Sequence, residues 1–173
     1  MLINSILEAV GNVPLIRLKK MPSGNVLIKA EFLNPGGSVK DRVAKHIIES
    51  AEKEGKLKPG MIIIEATSGN TGIGLSLLGV QKGYQAICVM PENMSKERKK
   101  NIQAFGGEII FSPGEESLVG SLKKMREITQ SEPEKYFIAN QFSNPHNPEI
   151  HYQQTGPEIW QDTEGEVDIF LKG

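Results

Sequence analysis

Met61-Ile62-Ile63-Ile64-Glu65-Ala66-Thr67-Ser68-Gly69-Asn70-Thr71-Gly72-Ile73-Gly74 decides the fold. Residues 61–66 form a short apolar run rich in β-branched side chains, the pattern of a strand covered on both faces. Residues 67–72 are small or polar, and a helical pattern over 71–82 follows, closed by Gly83. Strand, polar turn and helix in that order open a βαβ crossover. Further strand-like runs lie at 86–90, 108–111, 136–139 and 167–171. Helical patterns fall between them. Residues 41–55 align Val43, Ala44, Ile47, Ile48 and Ala51 on one face, with Gly55 as C-cap; 95–105 opens on Ser95; 116–130 aligns Leu118, Leu122, Met125 and Ile128. This alternation predicts an α/β fold, a parallel twisted sheet with helices on both faces.

The first 34 residues break the rhythm. Residues 14–18 and 26–30 read as two strands joined by a turn through Pro22-Ser23-Gly24-Asn25. An Asn- and Pro-rich loop, 140–148, separates the last strand–helix–strand unit from what precedes it and is the candidate domain boundary.

The chain has 173 residues, enough for one domain or for one and part of another. Lys+Arg 20 against Asp+Glu 21 gives a net charge of −1, which offers no footprint for nucleic acid or an anionic membrane. No run approaches the ~18 apolar residues of a membrane span, and residues 1–8 carry no basic leader. Asn93-Met94-Ser95 fits a glycosylation sequon by coincidence. Cys88, the single cysteine, sits in an apolar run and reads as an inert core thiol. A soluble cytoplasmic protein is expected. His46, His146 and His151 show no zinc-ligand spacing, so no metal is expected and they read as surface or structural histidines. Trp160 is expected to pack a helix onto the sheet.

Ligands of open parallel sheets bind outside the carboxyl ends of the strands. At 67–72, side-chain donors and free backbone N–H groups meet at a helix N-terminus, which makes an anion cradle for a carboxylate or phosphate. The alternative is an ordinary polar turn with a Ser or Thr N-cap. Gly69, Gly72 and Gly74 have the wrong spacing for the dinucleotide fingerprint, and no phosphate-binding P-loop occurs. The second feature is Asn34-Pro35-Gly36-Gly37-Ser38-Val39-Lys40-Asp41-Arg42. Lys40 opens a helix beside Arg42, an arrangement that disfavours the ammonium form and poises an amine for imine chemistry. On local grounds a solvated first-turn lysine is the better description. Asp41 and Arg42 read as a first-turn charge and a surface pair.

Taken together, residues 34–42 and 65–74 resemble cysteine synthase (O-acetylserine sulfhydrylase), a fold-type II pyridoxal-phosphate-dependent family. The likeness continues through 11–15, 90–95, 104–107, 140–142 and 155–160, in the family's order and through essentially the whole chain. The related cystathionine β-synthases share the lysine and Ser-Gly-Asn-Thr-Gly motifs, while the stretches at 147–151 and 155–160 lean toward cysteine synthase. The resemblance implies that Lys40 holds pyridoxal phosphate and takes the α-proton of O-acetylserine. It implies that Asn70 bonds the ring's 3′-oxygen, and that Thr67, Ser68, Asn70, Thr71 and Gln141 bind the substrate. Acetate leaves and sulfide adds to give cysteine.

Val13 and Ala66 depart modestly from the family, which usually has threonine and proline there. In the family, the strand matching 167–170 continues into a glycine-rich loop that binds the cofactor phosphate, which the chain ending at Gly173 does not include. The resemblance therefore implies a truncated second domain. Residues 35–145 would form the small α/β domain; 1–34 and 146–173 would be pieces of the large one, with little to join. The expected function is that of a cysteine synthase-like chain with little or no turnover alone. The alternatives are completion by a second chain and a binding module for the C-terminal peptide of a serine acetyltransferase partner. A cystathionine β-synthase-like fragment and a nucleotide-binding domain are further alternatives. A homodimer, or a non-native oligomer through an unpaired edge at 167–171, is also expected.

Overall fold

The computed structural model describes residues 2–20 and 24–171; Pro22 and Ser23 of the expected turn lie outside the described residues. β1 (Leu15–Arg17) and β2 (Leu27–Lys29) form the antiparallel pair, with Ile16 opposite Ile28. Next come α1 (Lys40–Lys53), β3 (Ile62–Ala66), α2 (Asn70–Gln81), β4 (Gln85–Pro91) and α3 (Lys96–Ala104). β5 (Glu108–Ser112), α4 (Ser117–Ser131) and β6 (Tyr136–Ile138) complete the sheet unit. α5 (His146–Ile150) runs through a π-helical turn, His151–Thr155, into α6 (Gly156–Asp162).

The four-stranded sheet has the order β5-β4-β3-β6 and is parallel throughout. Strand side chains alternate between its faces. Ile64, Ala66, Ile87 and Val89 point to α4, where they meet Met125, Leu118, Leu122 and Ile128. Ile63 joins the α1 and α2 cluster with Val43, Ile47, Ile48, Leu75 and Leu78; Cys88 and Met90 meet Ile73 and Ile102. Helices therefore cover both faces, as the alternation predicts. α2 is buried from Thr71 to Gly79 because it lies between the sheet and α1. Ser95 caps α3 by accepting from the Arg98 N–H, and α1 and α2 end before Gly55 and Gly83, both at positive φ.

From β3 the chain steps outward through β4 to β5, then returns through α4 to lay β6 on β3's other side. The loops after β3 and β6 thus sit side by side at the carboxyl ends of the strands, where the strand order reverses.

Three expectations are corrected. Residues 167–171 form no strand: no described strand lies beside them, and Ile169, Phe170 and Leu171 are 79%, 64% and 89% exposed. Apolar alternation marks a strand only where a partner strand supplies the hydrogen bonds. Trp160 is no buried anchor: it is 62% exposed and its ring lies over Gly165. The first 34 residues have much to join: Val10, Val13 and Ala30 are buried, and Ile6 and Leu7 pack on the α1–α2 core. Among the described residues no helix is long and apolar enough to cross a membrane.

Candidate active site

The loop after β3 holds the residues of the candidate cradle. Thr67 extends the ladder, donating its N–H to the Val89 carbonyl at 3.0 Å, and its Oγ1 accepts the Gly69 N–H at 3.3 Å. Gly69 occupies the N-cap of α2, and no side chain caps that helix. Its first turn is therefore not closed by a Ser or Thr cap, which favours the cradle over the ordinary turn. Thr67 and Thr71 are buried, Ser68 is half-buried and Asn70 is exposed.

Gln141, in the loop after β6, arrives beside this turn. The Thr71 hydroxyl donates to its Oε1, a contact between residues far apart in sequence. Glu65 fixes that loop. Its carboxylate accepts the backbone N–H groups of Asn140 at 2.6 Å and of Gln141 at 3.3 Å. The Gln141 side chain also bonds it. Burial raises the Glu65 carboxyl to about 7 against these three hydrogen bonds, which pull it down. Sequence reasoning gave Glu65 no role, although a carboxylate inside a central apolar strand is a signal in itself.

Lys40 is the first residue of α1 and is half-buried. Its N–H bonds the Ser38 Oγ at 3.1 Å. It meets the cradle through Gly74, one turn into α2. A Cβ on Gly74 would lie 3.2 Å from the Lys40 carbonyl oxygen and 3.1 Å from the Ala44 Cβ. Glycine is what lets α1 approach α2 this closely and sets Lys40 beside the first turn of α2.

Asp41 is not a surface charge. It is fully buried, and its Oδ2 accepts the Gly36 N–H at 2.5 Å, while Oδ1 has no hydrogen-bond partner among the described residues. Burial raises its carboxyl to about 6, against the Gly36 hydrogen bond. Gly36 cannot carry a side chain: a Cβ there would lie 2.4 Å from Asp41 Oδ1.

Arg42 is no surface pair either. Its side chain has no exposure; it meets Glu31 at 2.9 Å and Glu158 at 2.6 Å and 2.7 Å. Glu158 also pairs with Lys29 at 3.0 Å and accepts the Asn12 N–H at 3.1 Å. Although partial burial opposes it, bonding to Arg42 and Lys29 holds the Glu158 carboxyl down at about 2. A guanidinium neutralised by two carboxylates is a poor source of positive potential for Lys40, contrary to the expectation from their spacing. Cys88 behaves as expected: it is buried, and desolvation pushes its thiol up to about 12.

The site thus combines an amine at one helix N-terminus with open amides, two buried threonines and a clamped glutamine at another. Residues 6–172 match the family described as pyridoxal-phosphate dependent enzyme. The chain belongs to this family. As a pyridoxal-phosphate-dependent enzyme chain it is 48% identical to cysteine synthase A of Escherichia coli (strain K12), over 164 residues that are 95% of this chain and 51% of that protein. It is 47% identical to cysteine synthase of Staphylococcus aureus (strain N315), covering 99% of this chain and 56% of that one. The chain spans about half the length of the curated relatives it matches. Among solved structures it is similar to O-acetyl serine sulfhydrylase isoform 3 from Entamoeba histolytica, with a TM-score of 0.90 and 47% identity, over 97% of this chain and 52% of that one. It is also similar to a hydrogen sulfide-producing enzyme from Fusobacterium nucleatum, with a TM-score of 0.94 and 42% identity, over 98% and 57%. The fold-type II pyridoxal-phosphate architecture follows from these neighbours.

Proposed function

We propose that this chain carries the lysine and the substrate-carboxylate cradle of a cysteine synthase acting on O-acetylserine and sulfide. The supporting observation is the convergence of Thr67, Thr71 and Gln141 at the uncapped N-terminus of α2, beside Lys40. The residues present fit pyridoxal phosphate in part: Lys40 offers the amine that an aldehyde requires, and the exposed Asn70 amide could meet the ring's 3′-oxygen. When bound, the cofactor supplies the electron sink for a carbanion.

The chain's own residues supply orientation and proton transfer. The α2 amides and the hydroxyls of Thr67, Ser68 and Thr71 receive the amino acid's carboxylate. Gln141 contributes through its side-chain nitrogen, a donor on the amide whose oxygen accepts from Thr71. The Lys40 Nζ takes the α-proton of a substrate so held. Residues 35–145 form the small domain in this reading, while 1–34 and 146–173 belong to a second. The cradle equally suits the C-terminal carboxylate of a partner acetyltransferase peptide. A homodimer and a cytoplasmic location belong to the same reading.

The test is to incubate the 173-residue chain with pyridoxal phosphate, reduce with borohydride and map the modified peptide. Modification concentrated at Lys40 and lost in Lys40→Ala is expected, with cysteine formation near background, because the resemblance puts the phosphate-binding loop beyond these residues. Modification spread evenly over the surface lysines would refute the assignment.

A further inference from the structure

A second cluster lies on the far side of α1 and belongs to no part of the chemistry above. His46, on the outward side of α1, and His146, at the start of α5, meet edge to face with ring centroids 5.5 Å apart. Glu149, one turn along α5, places Oε2 3.2 Å from His46 Nε2 and 2.6 Å from His146 Nδ1. One ligand atom from each of the three residues lies within 4.8 Å of the other two.

The surroundings of this group are as informative as the group itself. His146 Nε2 lies 2.9 Å from the Glu54 Oε1, and the Glu149 Oε1 accepts the Gln153 Nε2–H at 2.8 Å. A ligating histidine typically directs its other ring nitrogen to a carboxylate, and a ligating carboxylate is typically hydrogen-bonded in turn. Both supports are present. A tetrahedral cation bound at about 2.0–2.1 Å spaces its ligand atoms about 3.3 Å apart. The His46–Glu149 gap already has that spacing, and the 2.6 Å His146–Glu149 gap must open by about 0.7 Å to reach it. Two imidazoles and one carboxylate suit zinc and its neighbours rather than calcium or magnesium. Access is open, because both histidine side chains are 18% exposed and His146 borders a cleft of about 250 Å³ with Ala51, Phe137 and Asn140.

We propose that His46 Nε2, His146 Nδ1 and Glu149 Oε2 bind one divalent cation of the zinc class, with solvent completing the coordination. Glu54 and Gln153 orient the ligands. The ion pins α5, and with it the segment that carries Glu158, to the outer face of α1.

Zinc binding to the full chain, measured by equilibrium dialysis with elemental analysis and by cobalt visible absorption, tests this without pyridoxal phosphate. The result expected is one zinc per chain and a cobalt spectrum of low coordination number. His46→Gln or His146→Gln should weaken binding at least about 100-fold, and Glu54→Gln about 10- to 100-fold. His151→Gln, which alters the chain's only other histidine, should leave it unchanged. Glu54 lies at the exposed end of α1, so its variant serves if a histidine variant fails to fold. Substoichiometric zinc, or binding that survives loss of His46 and His146, would overturn the proposal and leave a proton-bridged network only.

Discussion

Glu65 makes the stability of this protein fall as pH rises, and the size of the effect follows from the structure. Its carboxyl, ordinarily at 4.5, lies at about 7 in the fold because burial disfavours the charge. The folded chain therefore keeps this proton over a range where the unfolded chain has lost it. The proton's contribution is complete below pH 4.5 and disappears as pH passes 7. At about 1.36 kcal/mol per pH unit, the full difference is about 3 kcal/mol, most of which falls between pH 5 and pH 8. A urea slope of about 2 kcal/mol/M turns that into a midpoint lower by about 1 M at pH 8 than at pH 5. Asp41, raised from 3.8 to about 6, adds a smaller fall in the same direction, centred lower. The comparison that isolates Glu65 is therefore wild type against Glu65→Gln, unfolded in urea at half-unit steps of pH and followed by far-UV circular dichroism. The variant cannot titrate at this position, so its midpoint should drift by about 1 M less than wild type across the range. Parallel curves for the two proteins would refute the account of Glu65 as a buried, ionisable clamp.

Arg42→Met should destabilise the fold by about 3 kcal/mol, because the half-buried Glu31 would lose its cation and the half-buried Glu158 would keep only Lys29; denaturant titration measures it, and a loss below about 1 kcal/mol would contradict the network. Gly74→Val should cost about 1–3 kcal/mol by driving α1 from α2 at the Lys40 carbonyl. Its thermal midpoint should fall by roughly 2–4 °C per kcal/mol, and an unchanged midpoint would mean the helices have room to spare.

The elements legible in the sequence are those whose neighbours are close along the chain. Apolar period and terminal glycines locate β3, α2, β4, α3, β5 and α4 to within a residue or two. The six small or polar residues after β3 single out a candidate site because a strand–turn–helix junction leaves helix N-terminal amides without a side-chain cap. What escaped is non-local. Arg42 looks like a surface charge until Glu31 and Glu158 close over it, and Glu158 lies 116 residues away. Glu65 gains its role only when β6 pairs with β3 and delivers the Asn140 and Gln141 amides. The histidine cluster is invisible to ligand spacing because 100 residues separate His46 from His146, and the packing of α5 on α1 brings them together. The run at 167–171 failed in the opposite sense: it has the local pattern of a strand and no described strand beside it.

The salt-bridged guanidinium sets a limit on how the molecule can be dissected. Glu31 and Glu158 belong to stretches that flank residues 35–145 on either side, yet both terminate on a side chain within that span. Excising 35–145 as a minimal folding unit would strip Arg42 of both anions at once and expose its cavity two residues from Lys40. A useful fragment has to keep residues 31 and 158 on board, or carry an uncharged side chain at 42. The natural seam in the sequence and the safe place to cut are different places.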